Sequence, residues 1–226
     1  MHVTSPFAER IVFTVGPLAV SGAVVTTWAL MVALVLVSWL GTRRLSETPG
    51  LLQGALELLV EGIEDQLREI TLRDPAPLVP LLGTLFLYLA TANLSSVLPG
   101  VESPTARIET PAALALVVFA SVHVFGVRAH GVRRYLRRYL RPTPLLLPLN
   151  VLAEITRTFA LMIRLFGNIM SHGLVVAIVV SIAGLLVPVP LMILGVLIGL
   201  VQAYIFTVLA AVFVGAAVEK SQPGAV

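Results

Sequence analysis

The residues able to do chemistry in this chain gather in one stretch. Between Pro148 and Gly173 an otherwise apolar run carries Asn150, Glu154, Arg157, Arg164, Asn168, Ser171 and His172. At about 100° per residue, the consequence of 3.6 residues per turn, they fall near 0°, +40°, −20°, −40°, 0°, −60° and +40° around a helix. All seven share one face. A charge left against hydrocarbon costs from roughly 2.5 to more than 10 kcal/mol, so in a bilayer this face must meet protein or water. Ionisable groups held in a membrane mark ion paths, and ion passage is the chemistry such a stripe supports.

Arg164 is the sharpest of the seven, with apolar neighbours on both sides and no nearby acid in its own helix. The other apolar runs, Val20 to Leu40, Pro77 to Leu98, Ala112 to Val127 and Leu191 to Val218, contain no Asp or Glu. Its counter-charge is therefore expected on another subunit, or as a mobile ion. Imidazole titrates near neutral pH, so His172, on the polar face, is expected along the aqueous path. For His123 a packing role and a proton-relay role both fit. Histidines at 2, 123, 130 and 172 show no ligand spacing, so no metal is expected. There is no glycine-rich phosphate loop and no nucleophile elbow. The chain is thus not expected to hydrolyse ATP or to hold a cofactor.

Positioning such a stripe needs membrane helices, and the composition supplies them. The 226 residues are 58% hydrophobic and 12% charged, with mean hydropathy +0.98 and no cysteine. That excludes an ordinary soluble enzyme, a disordered chain and a disulfide scaffold. With roughly 20 apolar residues needed per crossing, spans are expected at 20–40, 77–98 and 112–127. A long helical hairpin is expected over 144–218, turning at Val187-Pro188-Val189-Pro190. The first run lies too far from the N-terminus to read as a cleaved signal. Residues 49–73 alternate Leu51, Leu52, Ala55, Leu58, Leu59 and Ile63 with Glu57, Glu61, Glu64, Asp65, Arg68 and Glu69, the pattern of an interfacial amphipathic helix or of a solvated, partner-binding one. The expectation is a single all-α membrane domain of about five transmembrane helices plus this amphipathic helix.

Arginine placement sets the expected orientation, because short basic loops stay cytoplasmic. Arg43, Arg44, Arg68 and Arg73 follow the first span, and Arg128, Arg133, Arg134, Arg137, Arg138 and Arg141 follow the third, against Arg10 and Arg107 on the other side. The N-terminus is expected outside and the C-terminus, with Lys220, in the cytoplasm. The basic run, interleaved with Tyr135 and Tyr139, reads as a topology determinant touching anionic lipid rather than as a nucleic-acid site.

The run Ile163-Arg164-Leu165-Phe166-Gly167-Asn168-Ile169, followed by Gln202-Ala203-Tyr204-Ile205-Phe206, resembles subunit a of the F-type rotary ATP synthases. The N-L-x-x-x-L-P ending of an earlier span at Asn93 to Pro99 and the acidic amphipathic segment occur in the same order, so the resemblance covers about Val20 to Lys220. It implies a stator in a bacterial plasma membrane, standing against a c-ring of small hairpin subunits and joined to peripheral-stalk b subunits. Two half-channels would pass H⁺ or Na⁺ to and from the ring, the last two helices forming a long tilted hairpin beside it. Arg164 would favour the charged form of a ring carboxylate, release its ion and block direct leakage. By the same resemblance Gln202 and Asn168 lie near the arginine. Two departures stand out: positions often polar in the family are Gly173 and Gly195, with His172 a partial substitute. Where relatives place acids in the second and third spans, this chain has Ser95 and Ser96, with Arg107 and Glu109 in the loop entering the third. A secondary transporter or self-contained channel is the alternative, but internal repeats are not seen. A purely structural anchor would not retain Arg164.

Overall fold

The computed structural model describes residues 11–15, 18–43, 50–70, 76–96, 103–139, 147–184 and 187–219. Arg10, Arg44, Arg73, Arg141, Lys220 and the Leu98-Pro99 ending of the second run lie outside the described residues. The chain opens with an antiparallel hairpin, β1 (Ile11–Val15) and β2 (Leu18–Ser21), in which Thr14 faces Ala19. This hairpin was not expected, and it delays the first helix to Gly22.

Among the described residues seven α-helices follow. They are α1 (Gly22–Thr42), α2 (Leu51–Ile70), α3 (Val79–Ser95), α4 (Glu109–His130), α5 (Val132–Tyr139), α6 (Leu147–Ala183) and α7 (Val189–Glu219). A 3-10 turn, Pro104–Ala106, precedes α4. By length and apolar composition α1, α4, α6 and α7 are each able to cross a membrane, and α3 is a shorter apolar helix of 17 residues. This is the helical membrane architecture expected from the five apolar segments. The helix α5 is an addition, falling where only a basic loop was expected. With 37 and 31 residues, α6 and α7 exceed the roughly 20 residues that span hydrocarbon, so they must tilt or project beyond it.

Glycine ends two of these helices by adopting positive φ, at Gly131 after α4 (76°) and at Gly184 after α6 (74°). Pro190 stands in the first turn of α7, where its missing N–H costs nothing. Along α2 the alternation resolves into two faces. Leu67 is buried and Ile63 packs on the core, while Arg68 bridges Glu64 at 2.7 Å on the wet side.

The core is where α3, α4, α6 and α7 meet. Leu82, Leu85 and Leu89 of α3, Ala115 and Val118 of α4, Leu161 and Leu165 of α6, and Ala203, Phe206, Ala210, Ala211 and Val214 of α7 form one packed cluster. Within lipid, hydrophobicity does not drive helices together, so close van der Waals fit must. The small residues Gly195, Gly199 and Ala203 on one side of α7 permit it. Asn93 of α3 sits so close to Gly199 that a β-carbon there would lie 2.9 Å from its Cβ. By contrast α1 is almost wholly exposed, tied to α3 by the Tyr88 hydroxyl on Thr27 Oγ1 at 3.4 Å.

Candidate functional site

The unbroken helix α6 puts all seven stripe residues on one rod, and the packing divides them into two edges. Near +20° to +100° lie Leu161, Leu165 and Ile169, all buried, which fixes the side turned to α4 and α7. Glu154 and His172, near +40°, stand on that inward edge and are partly buried. Arg164 and Ser171, near −40° and −60°, stand on the outward edge and are exposed, as are Asn150 and Arg157.

The lower inward cluster joins α4 to α6. His123 Nδ1 lies 2.8 Å from the Phe119 carbonyl oxygen, which only accepts, so Nδ1 donates there and the second ring nitrogen is the one turned to α6. That nitrogen, Nε2, lies 3.7 Å from Glu154 Oε1. The imidazole and the carboxylate thus face each other across the contact between α4 and α6. Tyr135 of α5 closes the ring's flank edge-on at 5.9 Å. Arg157, one turn along α6, places its guanidinium 5.7 Å from the Phe213 ring centroid.

Above this cluster the interior turns apolar. Leu161, Leu165, Ala203, Phe206 and Ala210 fill the level between Glu154 and Asn168. Arg164 lies at this level on the outer side and has no hydrogen bond or ion pair among the described residues. One turn further, Asn168 Nδ2 approaches Gln202 Oε1 at 3.5 Å. Gln202 is buried, and its Nε2 has no hydrogen-bond partner among the described residues.

The upper inward cluster joins α6, α7 and the end of α3. A β-carbon added at Gly195 would collide with the His172 imidazole, so the histidine occupies the space that a side chain at 195 would take. Gly173 faces open space. Asn93 donates to the Gly199 carbonyl at 2.8 Å and accepts from Thr105 Oγ1 at 2.9 Å. Ser103 lies 3.0 Å from Thr105. Ser95 and Ser96 spend their hydroxyls on carbonyls of their own helix. Glu109 is exposed in the first turn of α4, where it suits the helix N-terminus. No hydrogen bond or ion pair joins it to α6 among the described residues.

The model of the ATP synthase A chain family matches residues 24–215. The chain belongs to that family. Relatives agree along nearly the full length. ATP synthase subunit a 2 of Bradyrhizobium sp. strain BTAi1 is 56% identical over 221 residues, covering 98% of this chain and 99% of that one. ATP synthase subunit a 2 of Pelobacter propionicus is 49% identical over 208 residues, 92% and 91% of the two chains. ATP synthase subunit a 1 of Chlorobaculum parvum is 46% identical over 224 residues, 98% of each. Family membership and the apolar helices together make this a multi-pass membrane protein.

Reading the stripe alone missed the contacts between helices. The His123–Glu154 pair and the Tyr204 hydroxyl on Gln66 Oε1 at 3.0 Å left no local signal, since their members lie far apart in the chain. The nesting of His172 on α7 did leave one, the small residues Gly195, Gly199 and Ala203 at four-residue spacing.

Proposed function

We propose that this chain is the stator subunit of an F-type ATP synthase, passing H⁺ or Na⁺ between two half-channels and a rotating ring of carboxylate-bearing hairpin subunits. The carrying observation is Arg164, a permanent charge exposed at mid-helix without a counter-charge among the described residues. Its outward edge is lined by Ala160, Gly167 and Ser171, and a β-carbon at Gly167 would meet nothing within 4 Å. Small residues there let another helix approach closely. A ring carboxylate brought to Arg164 is favoured in its charged form and gives up its ion, whereas facing lipid it must be neutral.

The two inward clusters fit the ends of two separate paths. Glu154 with His123 serves the lower one, and His172 with Asn168 and Gln202 the upper. The packed layer of Leu161, Leu165 and Phe206 supports their separation, because an ion cannot cross it without shedding water into hydrocarbon. Arg164 repels cations on the outer side of the same level. The ion therefore crosses on the ring, and the ring must turn. With the N-terminus outside and the basic α4–α6 connection in the cytoplasm, the Glu154 path opens inward and the His172 path outward. The chain supplies no nucleotide site, ATP chemistry belonging to other subunits of the complex, and peripheral-stalk b subunits would hold it still.

The test is disulfide formation in the assembled complex between Ser171→Cys and cysteines placed along the carboxylate-bearing ring helix. Cross-linking that stops ATP-driven ion uptake, with recovery on reduction, is expected. Cross-linking from Thr158→Cys on the inward side, with none from Ser171→Cys, would overturn the assignment.

A further inference from the structure

We propose that α5 and the cavity beside it bind the phosphate of an anionic phospholipid. Gly131 stops α4 and turns the chain, so α5 begins at the end of a membrane helix. Tyr135 fixes how α5 is rolled: it is buried against Gly126 of α4 and stands edge-on to His123. With Tyr135 inward, Val132 and Leu136, one turn apart, are 59% and 58% exposed. Arg133, Arg134 and Arg137 are exposed beside them.

A cavity of about 590 Å³ opens at this corner, lined by His130, Gly131, Val132, Arg133, Arg134 and Arg137. No acid lines it. The enclosed Nε2 of His130 has no hydrogen-bond partner among the described residues. Three arginines, each with a guanidinium able to grip a phosphate with two parallel N–H groups, thus line the cavity beside the first turn of α5, whose leading N–H groups have no helical acceptor.

A soluble anion would explain the arginines but leave Val132 and Leu136 in water. A phospholipid accounts for both: the apolar pair enters the acyl boundary while the arginines hold the headgroup phosphate at the end of α4.

The test uses the assembled complex in vesicles carrying a photoactivatable phosphatidylglycerol or phosphatidylcholine analogue. Phosphatidylglycerol label is expected on the peptide spanning α5, suppressed by excess unlabelled phosphatidylglycerol and untouched by millimolar inorganic phosphate. In Arg133→Gln/Arg137→Gln the labelling affinity should fall roughly thirtyfold, from the usual contribution of two basic residues at an anionic surface. Should that variant fail to assemble, the competition on the wild-type complex still decides. Equal labelling by both lipids, displacement by inorganic phosphate, or labelling unchanged in an assembled double variant would each overturn the proposal.

Discussion

The two edges of α6 carry similar residues in opposite circumstances. Inward, Glu154 meets His123, Asn168 meets Gln202 and His172 fills the space above Gly195. Outward, Arg164 and Ser171 are exposed, and Arg164 is without a polar partner among the described residues. About 80° separates the two edges, from near +40° to near −40°, less than one residue step. The polar stripe thus has two unlike edges: the inner one is packed by the chain's own helices, and the outer one is open, as the proposed ring contact requires.

The comparison is broken most severely where the inward edge is tightest. Gly195→His places a second ring where His172 lies and should abolish ion-coupled ATP synthesis. Gly195→His/His172→Gly, which moves the imidazole to the other helix, should restore a substantial part of it. Failure of the double variant, with the complex assembled, would show that the space is not simply exchangeable.

The apolar layer between the clusters comes next. Leu165→Ala should cost about 2–5 kcal/mol in stability by opening a cavity. Passive ion leak through the complex should rise, as measured by decay of an imposed gradient in vesicles. A smaller effect is expected at the lower cluster. Glu154→Gln and His123→Gln should each slow ATP-driven uptake severalfold, and the double variant should be no slower than the worse single one, because the pair acts as a unit. Additive losses would separate them. The smallest effect concerns orientation. Ile108→Cys should react with an impermeant thiol reagent only from outside, and Arg134→Cys only from the cytoplasm. Ser103, buried in the Asn93 cluster, is a poor labelling position.

Much of this was legible in the residues. Apolar run length marked the five membrane segments, and helical periodicity placed Arg164 and its neighbours on one face, because both are local consequences of backbone geometry. The hairpin β1–β2 and the short helix α5 were not legible. α5 is eight residues in a basic stretch, held by Tyr135 packing against Gly126, a tertiary contact without a periodic signature. The division of the stripe into two edges was hidden for the same reason: angles place residues around a helix, but only α4 and α7 decide which side is covered. The departures Gly173 and Gly195 looked alike in sequence and differ in space, one open and the other filled by His172.

The most direct measurement of the central claim follows active uptake and passive leak on the same reconstituted vesicles, with Arg164→Ala and Arg164→Lys in the assembled complex. Arg164→Ala should lose ATP-driven ion uptake completely and pass ions more readily down an imposed gradient. Arg164→Lys should also fail to pump, since an ammonium lacks the planar fork and gives up its proton more readily when desolvated. Uptake at the wild-type rate by Arg164→Ala would contradict the role assigned to the exposed edge of α6.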